Sequence, residues 1–244
     1  MCGRFVSASE RSRIEQQFSA VAVAGQEALR PDFNVAPSKK VYSIMDRHDE
    51  RQLRVVTWGL IPSWAKDPAI GNRLVNARLE SAAEKPSFRR AFARRRALIP
   101  ADGYFEWYAG SVDSGSADSK PARPKKQPFY IHPGDGSLMA MAGLYEIWRD
   151  REIPDEDAPG AFRWTCTVLT TSATDDLGRI HDRMPLLVPA EFHDGWLDPD
   201  VVAPPSGALV PASPGLLQAY PVSTLVNSVR NNGPQLLDPL PTDG

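Results

Sequence analysis

The sequence predicts an α+β fold, one domain built on curved antiparallel or mixed β-sheet that is barrel-like, with a few short helices. The 244 residues include 23 prolines and 17 glycines, which favours short strands and many turns over a helical bundle. Strand patterns recur without the βαβ alternation of a parallel sheet. Hydrophobic residues make up 42% of the chain and aromatic residues 9%, enough for a substantial core and too much for wholesale disorder.

Taken in order, Ser7 with Glu10 three residues on forms a capping-box pattern, and Ile14 and Phe18 share one face, predicting a helix to about Val21. The first six residues precede it, free to enter the interior. Lys39 to Asp46 and Arg51 to Trp58 read as a strand pair joined around Arg47-His48-Asp49-Glu50. Pro62-Ser63-Trp64 opens a turn-rich connection. From Arg78 a helical pattern runs through Leu79, Ala82 and Ala83, breaks at Pro86 and resumes through Phe88 and Phe92 to Arg96. Ala97 to Tyr108 is an apolar strand interrupted by Pro100-Ala101-Asp102-Gly103.

Between Ala109 and Lys126 the composition turns to Gly, Ser, Asp, Pro and Lys, predicting a solvated, mobile loop. Strands are expected at Phe129 to His132, Leu138 to Trp148 and Phe162 to Ser172. The segment Leu186 to Val188, a short helix near Glu191 to Leu197, a Pro-rich loop at Ala203 to Pro214 and a strand near Gln218 to Val222 follow. The chain end from about Gln235 reads as a loose tail. With no repeat and no linker, the domain is expected to span residues 1–244.

Lys and Arg number 28 against 30 Asp and Glu, a formal net charge of −2, which excludes a wholly basic nucleic-acid-coating protein. The charge is nevertheless polarised. Arg73, Arg78, Lys85, Arg89, Arg90, Arg94, Arg95 and Arg96 face only Glu80 and Glu84 within their stretch, whereas Met184 to Val229 holds no Lys or Arg. Such a ridge is either a solvated face or a phosphate-binding surface with little sequence selectivity. No apolar run is long enough to span a membrane and the N-terminus lacks a signal-peptide core, so a cytoplasmic protein is expected. Cys2 and Cys166 are too few for a disulfide scaffold and have no metal-ligand spacing with the four histidines. Neither metal nor cofactor is implied.

Cys2 is the most informative position. Removal of Met1 would leave an α-amine and a thiol on adjacent carbons, with ordinary pKa values of about 7.7–8.0 and 8.5, so both are partly nucleophilic near neutrality. An aldehyde is the natural target. The amine condenses to an imine and the thiol closes on the same carbon, giving a five-membered thiazolidine.

Around it stand Met1-Cys2-Gly3-Arg4-Phe5, Asn34-Val35-Ala36-Pro37, Trp58-Gly59-Leu60-Ile61-Pro62, Val75-Asn76-Ala77-Arg78-Leu79-Glu80, Ala101-Asp102-Gly103-Tyr104-Phe105-Glu106-Trp107 and Ile180-His181-Asp182-Arg183-Met184-Pro185. In that order, and with Val226-Asn227-Ser228-Val229-Arg230-Asn231 closing the series, they resemble the SOS response-associated peptidase family from residue 2 to about Gly233. The resemblance implies a protein that binds single-stranded DNA and captures abasic sites by covalent linkage to Cys2. An abasic sugar opens to an aldehyde, so the implied substrate and the aminothiol chemistry agree. The peptidase of the family name is read as autocatalytic loss of Met1.

The matched positions then take roles. Glu106, flanked by aromatics, suits a proton shuttle with a raised pKa. His181 can give a proton to the sugar ring oxygen. Asn76 offers a donor and an acceptor to hold the Cys2 amine or a sugar hydroxyl. Arg4, Arg78 and Arg183 are candidate phosphate ligands, Lys85 supplies charge, and Thr170 fits the spacing of a substrate contact. Pro37 and Trp64 are candidate wedges against bases, while Trp58 and Trp107 are assigned to packing. Three departures from the family pattern are visible: Ala65 follows Trp64 where some members have a second aromatic, the Asp67 to Arg73 connection is longer, and Lys85 stands near a position that is Arg in some members.

A monomer acting on single-stranded DNA with abasic sites is the expectation, with no membrane partner. Two rivals remain. One is an N-terminal-nucleophile amidotransferase, which also begins Met-Cys-Gly and uses the thiol to hydrolyse glutamine. The other is a non-covalent single-strand binding module resting on the Arg73 to Arg96 ridge. A redox pair of Cys2 and Cys166 is disfavoured by the apolar strand around Cys166.

Overall fold

A computed structural model describes residues 2–109, 126–174, 177–213 and 215–241. In chain order these form β1 (Phe5–Ser7), α1 (Arg11–Phe18), β2 (Val21–Ala22), β3 (Asp32–Val35), β4 (Lys40–Arg47), β5 (Glu50–Trp58), β6 (Asn76–Arg78), α2 (Leu79–Ala82), α3 (Arg89–Arg94) and β7 (Arg96–Ala101). Then follow β8 (Gly103–Tyr108), β9 (Gln127–Pro133), β10 (Met139–Arg149), β11 (Phe162–Ser172), α4 (Leu177–Ile180), β12 (Arg183–Pro185), α5 (His193–Leu197) and β13 (Leu217–Pro221).

Five strands close into a ring. β4 pairs with β5 and β7, β7 with β10, and β10 with β11. β11 returns to β5 in parallel, Thr165 opposite Thr57 and Cys166 opposite Trp58. Side chains alternate across a strand, so one set fills the barrel: Met45, Val56, Trp58, Ile99, Met141, Tyr145, Cys166 and Val168. The other set, including Ile44, Leu53, Leu98 and Leu169, packs outside against Ile14, Phe18, Phe88, Ala91 and Trp196 from the helical segments. Both faces are therefore apolar, which explains uninterrupted buried runs such as Ala97–Ala101. The α+β, barrel-like expectation holds.

A second sheet has the order β13, β9, β8, β1, β3. The chain passes from barrel to second sheet at Asp102, between β7 and β8. At Gly103 a Cβ would lie 2.4 Å from the Tyr130 ring, so the turn into β8 accepts no side chain. β1 carries Phe5 against Trp58 of the barrel, ring centroids 5.0 Å apart. The N-terminus thereby enters the barrel end.

Several expectations are corrected. Ser7 lies in β1 and caps nothing, and α1 starts at Arg11 and stops at Phe18. The corner before it is fixed instead by Asp102, whose carboxylate accepts from Ala8 N–H (2.7 Å), Ser9 N–H (3.1 Å) and Ser9 Oγ (2.5 Å). The segment Leu186 to Val188 carries only an isolated bridge of Leu187 to Met141, and the strand before it is Arg183–Pro185. Arg96 begins a strand and does not end a helix. Nor is the chain end loose as far as Leu240: Leu236 is fully buried, and Leu240 N–H donates to Pro221 O. The loop at Ala109–Lys126 lies, but for its two end residues, outside the described residues. Among the described residues no helix is long and apolar enough to cross a membrane.

Candidate active site

Four separate stretches converge at the barrel end that β1 enters. β1 pairs antiparallel with β8, Phe5 opposite Tyr104 and Val6 opposite Gly103. Continued upstream, that register lays residues 2–4 beside residues 105–107, and Phe105 N–H indeed donates to Arg4 O at 2.9 Å. β6 pairs in parallel with β11, Asn76 opposite Val168 and Arg78 opposite Thr170. This places Asn76 where its Nδ2 donates to the Cys2 carbonyl at 2.7 Å. The connection between α4 and β12 supplies His181.

Cys2 is fully buried in this chain, which still carries Met1. Burial raises its thiol pKa far above the ordinary value, and the charge of Glu106 pushes the same way. Glu106 is itself buried, which lifts its carboxyl above the usual range, while the nearby His181 pulls it down. Tyr104, two residues before Glu106 and so on the same face of β8, is held un-ionised by burial, with Cys2 and Glu106 adding to the rise. Cys2, Tyr104, Glu106 and His181 thus form one electrostatic group. Among the described residues the buried Asn76 Oδ1 has no hydrogen-bond partner.

His181 Nδ1 has two neighbours of opposite demand. Arg183 N–H donates to it at 3.0 Å, while an Asp182 carboxylate oxygen lies 2.9 Å away. Asp182 is 85% exposed, so solvent screens that pairing and the backbone amide is the fixed partner. In the neutral ring the proton then sits on Nε2. Beside His181, a cavity of about 880 Å³ is walled by Tyr108, Phe129, Ile180 and Met184.

The predicted DNA-facing residues divide. Arg78 and Lys85 are exposed. Trp64 is 53% exposed, its Nε1 donating to Pro86 O beside Lys85, and Pro37 is half-buried after β3. Arg4 is engaged internally, donating to Asn34 Oδ1 (2.7 Å) and Val226 O (2.9 Å) with its guanidinium over the Trp107 ring. Arg183 grips Glu80 through both terminal nitrogens, at 2.6 and 2.9 Å, and donates to the carbonyl of the fully buried Thr170. Within the basic stretch, Arg95 pairs with Glu146, and Arg96 is buried among backbone carbonyls. The ridge is therefore narrower than its sequence suggested.

Trp58 is core as expected; Trp107 is half-buried and donates to Asn227 Oδ1. Cys166 lies in the barrel core with its thiol pKa raised by burial, which gives a redox pair no support. Three participants escaped the sequence reading. Tyr104 was signalled by its two-residue spacing from Glu106, and Asn34 by its place in a matched motif. Glu80 likewise closed a matched motif, beside Arg78.

The family model described as SOS response associated peptidase (SRAP) matches residues 1–229. "Abasic site processing protein YoqW" of Bacillus subtilis is 38% identical over 98% of this chain and 99% of its own. "Abasic site processing protein YedK" of Escherichia coli is 30% identical over 98% and 100%. A crystal structure of a protein from Bacteroides thetaiotaomicron superimposes with a TM-score of 0.79 at 24% identity, covering 98% of this chain and 100% of that one.

Proposed function

The chain belongs to the SOS response-associated peptidase family, and from that premise we propose that it binds single-stranded DNA and captures abasic sites through a thiazolidine on Cys2. What carries the reading is the grouping of Asn76, Glu106 and His181 around Cys2 from separate stretches of chain. Relatives named for abasic-site processing supply the substrate class.

Hydrolysis of the Met1–Cys2 bond frees the α-amine and exposes an aminothiol that is buried while Met1 remains. His181, acting as its imidazolium, gives its Nε2 proton to the ring oxygen of the closed sugar while the C1 hydroxyl loses its proton to water, so the ring opens to the aldehyde with no net change in protons. The Cys2 amine adds to the aldehyde carbon, one of its protons passing to the oxygen. Glu106 protonates that hydroxyl, which leaves as water, and then takes back the remaining nitrogen proton, its raised pKa letting it hold a proton nearer neutrality. The thiol then adds across the C=N bond: sulfur bonds carbon and its proton passes to nitrogen. One water is lost overall and no redox partner is needed. Asn76 fixes the Cys2 carbonyl through Nδ2 and presents Oδ1 to the freed amine.

Arg78 and Lys85 bind backbone phosphates, and Trp64 and Pro37 lie against bases. Thr170 and Arg183 shape the floor beneath the sugar, and Arg4 secures the N-terminal strand; Arg183 meets phosphate only by exchanging a Glu80 contact. Intact mass measurement tests the reading. Protein lacking Met1, incubated with an abasic oligonucleotide, should gain the oligonucleotide mass less one water, and Cys2→Ala should not. No adduct while intact oligonucleotide still binds would leave a non-covalent module. Glutamine turnover by the same sample would point to an amidotransferase.

A further inference from the structure

The barrel has two ends, and Cys2 occupies one of them. β5 and β11 run parallel toward that end, where Trp58 donates to Val75 O and Val168 faces Asn76. Arg54 and Trp164 stand upstream on these strands, and Arg47 stands at the far end of antiparallel β4. By alternation Arg47 follows Met45 and Arg54 precedes Val56 on the inward face, and Trp164 packs on the same interior cluster. We propose that Arg47, Arg54 and Trp164 form a second, phosphate-binding site at the barrel end opposite Cys2, independent of the abasic-site reading.

The geometry is that of a prepared cation pair. The Arg54 guanidinium lies 3.9 Å and that of Arg47 5.0 Å from the Trp164 ring centroid, and Tyr145 stacks on the same ring at 6.0 Å and 17°. Both guanidiniums thus lie within cation–π reach of one ring. Among the described residues neither Arg47 nor Arg54 makes an ion pair, and the acids on the neighbouring strands are engaged elsewhere. Asp46 holds Arg51, Glu146 holds Arg95 and Asp150 holds Arg163. Glu50, opposite Arg47 across the hairpin, accepts from Gln52 instead.

Two like charges are thus left side by side, half-buried, and Arg54 is destabilised as a cation by its burial and then by Arg47. Among the described residues Arg54 makes one hydrogen bond, Nη2 to Gln52 Oε1 at 3.3 Å, and its buried Nε has no partner. Closing a barrel end calls for no charge, and apolar side chains do it as well or better. An anion with several acceptor oxygens removes the repulsion and uses both guanidinium forks, the match that phosphate offers. That phosphate could belong to a DNA backbone or be free.

The test compares wild-type full chain with Arg47→Gln and Arg54→Gln. Intact single-stranded oligonucleotide is titrated at graded salt, and inorganic phosphate is titrated against melting temperature at constant ionic strength. Each variant should shallow the plot of log affinity against log salt by about 0.7 if it loses one backbone phosphate, which identifies DNA as the source. An unchanged slope, with phosphate raising the melting temperature of wild type only, identifies free phosphate. If neither response differs from wild type, the site does not exist. Should Arg54→Gln fail to fold, Arg54→Lys keeps the charge without the fork, and its response should be weaker in the same arm. Cys2→Ala, which tests the abasic-site reading, should leave both responses unaltered.

Discussion

Asn76 Nδ2 donates to the carbonyl oxygen of Cys2 at 2.7 Å, joining residues 74 positions apart. Asn76 is itself held by parallel pairing of β6 with β11 of the barrel. The N-terminal segment is therefore positioned by the barrel wall as well as by its own strand, and the position of Cys2 depends on a side-chain amide.

Asn76→Ala removes the donor and leaves a part-buried carbonyl unpaired, at a loss of about 1–3 kcal/mol. Asn76→Asp sets a carboxylate against that carbonyl and should lose more. Chemical denaturation measures both. If either variant retains wild-type stability, the bond does not position Cys2.

Glu106 predicts opposite effects on stability and on rate. Its folded-state pKa is raised by burial, so above the ordinary carboxylate range the unfolded chain has released a proton that the folded chain retains or gives up only at a penalty. The stability contribution of Glu106 therefore falls as pH rises from the ordinary Glu value of about 4.3 through the raised one. Glu106→Gln should melt above wild type at neutral pH, and the gap should close toward pH 4. Adduct formation should slow by about a hundredfold or more. A variant that melts lower at neutral pH, or reacts at the wild-type rate, contradicts this assignment.

How far the fold was legible depended on periodicity. β11 was readable to the residue because β-branched and aromatic residues recur along it, and both its faces are buried from Thr165 to Thr171. β3 and β6 were not, since Asp32–Val35 and Asn76–Arg78 are short and polar and become strands only by pairing with Phe5 and with Val168 to Thr170. Ser7 and Glu10 satisfied a local capping rule, but the distant Asp102 took the backbone donors there. At the site, the residue types of Cys2, Asn76, Glu106 and His181 were visible in motifs. Their partners were not, because the Arg183–Glu80 pair joins residues 103 positions apart.

That pair gives a prediction of its own. Glu80 is half-exposed, with Arg183 holding its pKa below the ordinary carboxylate value through a hydrogen bond. Glu80→Gln keeps an acceptor for the mostly buried Arg183 and should lose about 1–2 kcal/mol. It also removes an anion beside Arg78 and releases one fork of Arg183. Binding of intact single-stranded DNA at low salt should therefore tighten several-fold. Weaker binding in fluorescence anisotropy would show that Glu80 serves the DNA surface rather than restraining it.

Arg78 and Arg96 come from one basic stretch and should separate completely under mutation. Arg96 is 2% exposed. Its Nε donates to Trp196 O, Nη1 to Phe92 O and Ala93 O, and Nη2 to Asp198 O and Val201 O. It thereby gathers carbonyls from the last turn of α3, from α5 and from the segment after α5, and its pKa is lowered by burial. Arg96→Met keeps the apolar stem but strands several buried acceptors, so the loss should exceed about 3 kcal/mol. Lysine has neither the reach nor the fork to replace it. Arg78, exposed at the end of β6, should tolerate Ala within about 0.5 kcal/mol. Its loss should instead shallow the salt dependence of single-strand binding by about 0.7, one phosphate contact. Melting curves and salt titrations on the two variants read these effects independently, and a destabilised Arg78→Ala or a fully stable Arg96→Met would overturn the division of the stretch.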